Sequence, residues 1–358
     1  MRGKARTNSL EGASWVRRLR SGLSLVLASV LLVAVVGSTY MFVLAQRGGG
    51  YAAFAGQVPP SRAEAPEEET HSDKTGLGQA LPGTDADRQL EKMLRGKDQD
   101  IDLALANWLI ASDIPEFHDL TREAYFAQLD AMTEQVRGDM AKMQASGYGG
   151  TDADDPKTRC QRFCSAIIGL QFSYTEEFRE ENLTAAQMKA LYADPDNISL
   201  AGLLSTRRGS CVSMPLIYLV IGQRLGMPVH LVALGKHFYI RWEEPRFRVN
   251  IETTSVKKIA WTPDDSVYLD TEGMTRNQVR GSDLRNLSNR EVVGELFFTR
   301  MSYWHTKGEK CETQSLRDLT CARHLAPDDP SIERTYQAVF NHHGSKPEYT
   351  SVDVRSKQ

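Results

Sequence analysis

Three side chains in one stretch of this sequence have the types that acyl chemistry needs: Cys211, His237 and Glu252. Cys211 stands in Arg-Arg-Gly-Ser-Cys, directly before an apolar run, Val212–Leu225, that reads as a helix ended by Gly226. A cysteine at a helix N-terminus feels the positive end of the dipole, which favours thiolate, the nucleophilic form. Pro215 removes one early ladder hydrogen bond and sets the regular helix a few residues beyond Cys211. Taken alone, such a cysteine is more often a small buried hydrophobe. His237 changes the balance. It opens a strand, and an imidazole there can take the thiol proton and return it to a leaving amine. A carboxylate from Glu252 on the far ring nitrogen would fix the tautomer and stabilise imidazolium.

The elements that must position these residues are a helix and a small sheet. Val229–Leu234 is nearly continuously apolar, as in a buried strand. His237–Trp242 and Phe247–Glu252 alternate, with Glu243–Arg246 as the turn between them. Phe238, Ile240, Trp242, Phe247, Val249 and Ile251 share one face. His237, Tyr239, Arg241, Arg248, Asn250 and Glu252 share the other, polar face. A turn centred between Glu244 and Pro245 sets His237 opposite Glu252. Proline at the first central position moves the register, so that His237 opposes Thr254 with Glu252 on the diagonal. Both registers keep the pair on one face, whereas an odd-numbered slip separates it.

Around this core the chain reads as helical. Apolar positions from Ile101 to Leu109 form a helix that stops before Pro115. Further helices are expected over 121–146 with Thr121 as N-cap, near 158–171 and near 185–192. Ser288 and Glu291 form a capping box for a helix to about His305. A helix over 312–325 and another opened by Asp329-Pro330 complete a small helical-hairpin array. Cys160 and Cys164, four apart on one helix, are expected to be packed thiols, since no further ligand sits at a metal-site spacing. Cys311 and Cys321 are a candidate disulfide if the domain lies in an oxidising compartment. Asp194-Pro195-Asp196-Asn197 is expected to shape the turn that leads to Cys211.

The N-terminus is different. Six of the 43 basic residues lie in residues 1–21, against one of the 46 acidic residues. Gly22–Ala45 follows as 24 residues without a charge, long enough for a membrane-spanning helix. The basic flank places the N-terminus in the cytoplasm and the main domain outside it. A cleaved signal peptide is the alternative, but this apolar core exceeds the usual length. Residues 46–97, with three adjacent glycines and the run Glu67-Glu68-Glu69, read as a disordered acidic linker. With the basic tip set aside, the rest of the 358-residue chain is net acidic, which excludes nucleic acid as a first-choice partner. Five cysteines are too few for a disulfide-built scaffold.

Cysteine at the head of a helix, histidine opening a strand, and an acid before Thr-Thr resemble the pattern of the transglutaminase-like superfamily. That pattern commonly carries Asp-Pro-Thr where this chain has Glu252-Thr253-Thr254. More narrowly, residues 101–117, 192–211, 215–241 and 287–301 resemble the SirB-type transglutaminase-like proteins. The resemblance implies an α+β fold with a helical N-terminal region, a central helix packed on a small antiparallel sheet, and a helical tail like tetratricopeptide repeats. It implies Cys211 as nucleophile, His237 as general base and acid, and Glu252 as orienting carboxylate, with no cofactor and no metal. The expected organisation is a cytoplasmic 1–21, a signal anchor at 22–45, a linker at 46–97, a transglutaminase-like domain at 98–280, a helical tail at 281–345 and a disordered 346–358. Two functions are expected. One is a membrane-anchored thiol-dependent hydrolase or acyltransferase acting on a peptide or amide. The other is a non-catalytic module on the same fold that binds a peptide or protein.

Overall fold

Polar caps in the sequence mark where the helices begin. The computed structural model describes residues 84–342, apart from 180–183, 236, 255–259 and 263. The expected span at 22–45, its cytoplasmic flank 1–21 and the end at 346–358 lie outside the described residues. Among the described residues no helix is long and apolar enough to cross a membrane. Helix α1 (Asp85–Leu94) is closed by a reciprocal capping box between Thr84 and Asp87, and it buries Leu90 and Leu94, one turn apart. The stretch expected as linker to residue 97 is therefore folded at its C-terminal end. Short, charge-rich composition hid a helix that needs only two apolar anchors.

Helices α2 (Leu103–Ala111), α3 (Arg122–Ala145) and α4 (Pro156–Gly169) follow, capped by Asp102, Thr121 and Asp155. Cys160 and Cys164 are free, fully buried thiols on α4. Strand β1 (Ser173–Tyr174) pairs in parallel with β2 (Arg208–Gly209), and between them lie α5 (Ala185–Ala193), α6 (Pro195–Ile198) and α7 (Leu200–Thr206). Every residue of α8 (Met214–Leu225) from Met214 to Gly222 is buried. A helix apolar all round belongs inside a fold, and α8 packs against α3 on one side and the sheet on the other.

That sheet is antiparallel, in the order β3 (Val229–Leu234), β4 (His237–Glu244), β5 (Phe247–Glu252) and β6 (Ala260–Thr262). Phe238, Ile240, Trp242, Val249 and Ile251 enter the main core beside α8. The other face, expected to be polar, is polar in composition but also covered. Helix α9 (Ser266–Thr271) brings Tyr268 and Leu269 over Val232, Leu234 and Tyr239. Arg241 and Asn250 are buried there and satisfied. The Arg241 guanidinium donates to Asn250 Oδ1 (2.8 Å), the Leu284 carbonyl (2.9 Å) and Asp265 Oδ1 (2.6 Å).

The C-terminal part is a helical hairpin, α10 (Asn289–Thr306) and α11 (Glu312–Leu325), followed by α12 (Pro330–His342). Ser288 and Glu291 form the expected capping box. The Asp98 carboxylate adds a cap from across the fold, accepting the Asn289 and Arg290 backbone N–H groups at 3.0 and 2.8 Å. Arg300 on α10 donates to Asp318 on α11 and to the Ile110 carbonyl in the last turn of α2, so the hairpin is tied to the N-terminal helices. Cys311 and Cys321 are free. Cys311 is the residue just before α11 and Cys321 lies within it, ten residues along the axis or about 15 Å at 1.5 Å per residue, too far for the disulfide considered above.

Candidate active site

The turn carrying the thiol is held by one buried asparagine. The Asn197 carbonyl accepts from Ser210 Oγ and from Ser213 Oγ, both at 2.8 Å. Ser213 Oγ in turn accepts the Ser210 N–H at 3.0 Å, and Ser210 Oγ accepts the Val212 N–H at 3.0 Å. Met214 N–H donates to the Ser210 carbonyl at 2.9 Å, which closes a helical turn around Cys211. Regular helix thus starts at Met214, with Pro215 in its first turn, where a missing N–H costs nothing. Gly209 lets the chain pass: a Cβ there would lie 2.6 Å from Ser213 Oγ and 2.8 Å from Leu203 Cδ1. Asp194–Asn197, the cap and first turn of α6, has the shaping role expected of it.

The other two residues are set by two tight turns. Gly235, at φ 62, takes the first position of the β3–β4 turn, where a left-handed conformation suits the strand twist. His237 pairs with Leu234 at the start of β4. In the next hairpin Glu244 pairs with Phe247 and Ile240 with Ile251, which is the register with proline first in the turn. Glu252 is therefore diagonal to His237 and on its face. Glu252 Oε2 lies 2.7 Å from His237 Nε2, and Glu252 Oε1 accepts the Thr254 N–H (3.0 Å) and hydroxyl (2.7 Å). The extra methylene of glutamate is accommodated by this two-sided hold. Asn250 is committed to Arg241 and Asp265 and does not touch the imidazole.

A carboxylate only accepts, so His237 Nε2 carries the hydrogen, and Nδ1 is the nitrogen free to exchange a proton with Cys211. Burial opposes charging this ring. The Glu252 charge and hydrogen bonding with Cys211 and Glu252 outweigh it and hold His237 well above the ordinary imidazole range. Burial likewise opposes the Glu252 carboxylate, but His237 and the Thr254 donors hold it below the ordinary carboxylate range. The pair thus favours imidazolium beside carboxylate.

Cys211 is 4% exposed. The Tyr192 hydroxyl, from the end of α5, lies 3.7 Å from its sulfur. Burial, then the nearby Cys211, raise the phenol well above its ordinary range, so it keeps its hydrogen. His237 also lies 5.9 Å from Tyr268, which stacks on Tyr239 at 3.7 Å. All three residues singled out from the sequence meet here. Tyr192 and Thr254 were not singled out. Thr254 had a signal, since it ends the Glu-Thr-Thr run, but Tyr192 is brought in only by tertiary packing. The arrangement can move a proton from thiol to imidazole, hold the resulting charges, and return the proton to a leaving group.

Residues 123–297 match the family model of the transglutaminase-like superfamily. No curated protein and no solved structure gives a match. The matched span runs from α3 into α10 and contains every residue of the site, so the chain carries a transglutaminase-like superfamily domain.

Proposed function

We propose that this protein is a thiol-dependent hydrolase or acyltransferase acting on a peptide or amide. Cys211 is the nucleophile, His237 the general base and acid, and Glu252 the orienting carboxylate. The observation that carries the reading is the 2.7 Å bond between His237 Nε2 and Glu252 Oε2. Thioester formation on Cys211, then resolution by water or an amine, is the chemistry this set of groups serves. Within the superfamily we assign the chain to the SirB type, with α10–α12 as a tetratricopeptide-like tail. We further propose that residues 22–45 anchor it in a membrane with residues 46–358 outside the cytoplasm, from the basic flank before that span.

A second reading has its own support. Cys211 is 4% exposed, which suits a module that binds a peptide or protein without reacting. A thiol-reactive activity probe separates the two. With intact wild-type protein, mass spectrometry should locate the adduct on Cys211, and Cys211→Ala should lose it. A Cys211 that stays unlabelled while the denatured chain is labelled supports the binding module.

A further inference from the structure

The natural first donor to an oxyanion at this site is the Cys211 backbone N–H, and the sequence alone identifies no second donor. We propose that the Tyr192 hydroxyl is the second oxyanion donor, an inference that rests on the acyl-transfer reading above. Three observations carry it. The hydroxyl lies 3.7 Å from Cys211 Sγ, and sulfur is a weak acceptor on which a partly buried phenol gains little. Its position is also fixed. The ring packs edge-on to Phe178 at 5.2 Å, and the Asn197 side-chain amide donates to the Leu191 carbonyl at 3.1 Å. The carbonyl of that same Asn197 holds Ser210 and Ser213 on either side of the sulfur's own turn. One residue therefore locks the phenol-bearing helix end and the thiol-bearing turn to each other. Such pre-set geometry is what electrostatic stabilisation of a developing charge requires.

In the step itself the thiolate attacks the acyl carbon, a C–S bond forms and the C=O π pair moves onto oxygen. That oxygen grows on the atom bonded to Cys211 Sγ, where a donor needs to come within about 2.7–3.1 Å of it. Tyr192 donates a hydrogen bond without giving up its proton. Collapse restores the carbonyl, and the leaving amine or alkoxide departs with the proton from the His237 imidazolium. Water or an amine then attacks the thioester, gives its proton to His237, and releases Cys211 as thiolate.

Two reagents separate this role from a structural one. Iodoacetamide alkylates by displacement at carbon and forms no oxyanion, whereas p-nitrophenyl acetate acylates through one. Tyr192→Phe keeps the ring and its packing. Its Cys211 alkylation rate should stay within about twofold of wild type, while acetylation of Cys211 falls by about 10²–10³. Equal loss with both reagents would make Tyr192 a support for the thiol or the fold, and equal acetylation would leave it with no role in the step; either result overturns the inference while acyl transfer on Cys211 stands. Wild-type Cys211 that is alkylated but never acetylated would overturn the acyl-transfer reading and the inference with it.

Discussion

At the scale of single residues, the site is a balance of two opposed burials. His237 and Glu252 would each resist charging alone, and together each stabilises the other's charged form. The raised His237 value means its contribution to stability is complete below the free imidazole range, about 6.5, and is lost as pH rises through the folded value. The lowered Glu252 value means its contribution is present above the free carboxylate range, about 4.3, and is lost as pH falls through the folded value. Thermal stability should therefore be highest between about pH 4.5 and 6.5. Glu252→Gln should flatten that maximum and move the alkaline limb of Cys211 acylation to lower pH. A Tm profile in Glu252→Gln that matches wild type across this range would contradict the pairing.

At the scale of elements, most of what positions the site was legible. Thr121, Ser288 and Asp329 mark helix starts because their side chains satisfy orphan N–H groups locally. The alternation of β4 and β5 was equally local, and proline in the turn accounts for the observed register. Less legible was everything decided at long range: the burial of the polar sheet face beneath α9, the capping of α10 by Asp98, and the approach of Tyr192 to Cys211. None has a periodic or neighbouring signal. Two predictions belong here. One extra residue inserted after Pro245 shifts β5 by one and turns Glu252 to the opposite face, so Cys211 acylation should fall to the level of Glu252→Ala. Gly209→Val places atoms inside contact distance of Ser213 and Leu203. It should cost about 1–3 kcal/mol of stability and slow acylation, both measurable on purified protein. Wild-type behaviour in either variant would remove the turn or the close approach from the account.

At the scale of the whole molecule, the C-terminal helices are bound into the domain by buried charges. Arg300 is paired with Asp318 and Asp113, and removing one partner of such a set costs about 3–5 kcal/mol. Arg300→Ala should lower the denaturant midpoint accordingly and loosen α2 together with α10–α11 in hydrogen exchange. Loosening of the hairpin alone would show that the two regions are not coupled. Glu295 on α10 is a buried carboxyl with no partner on Oε1 among the described residues. Burial, and then Asp329, hold it well above the ordinary carboxylate range, so its contribution is present at low pH and lost as pH rises through the folded value. Glu295→Gln should match wild type below about pH 4 and exceed its Tm by roughly 2–4 °C at pH 8. A variant less stable than wild type at pH 8 would mean that the ionised carboxylate is the stabilising form.

The central claim is that Cys211, His237 and Glu252 act as one unit, and the most direct measurement of it is a double-mutant cycle on Cys211 acetylation by p-nitrophenyl acetate. Rates would be compared in wild type, His237→Ala, Glu252→Gln and the double variant, each checked for folding. Groups that act through one another are strongly non-additive. Glu252 works only through the His237 ring, so the double variant should be no slower than His237→Ala alone. Losses that multiply in the double variant, or a wild-type rate no faster than that of the denatured chain, would contradict the account.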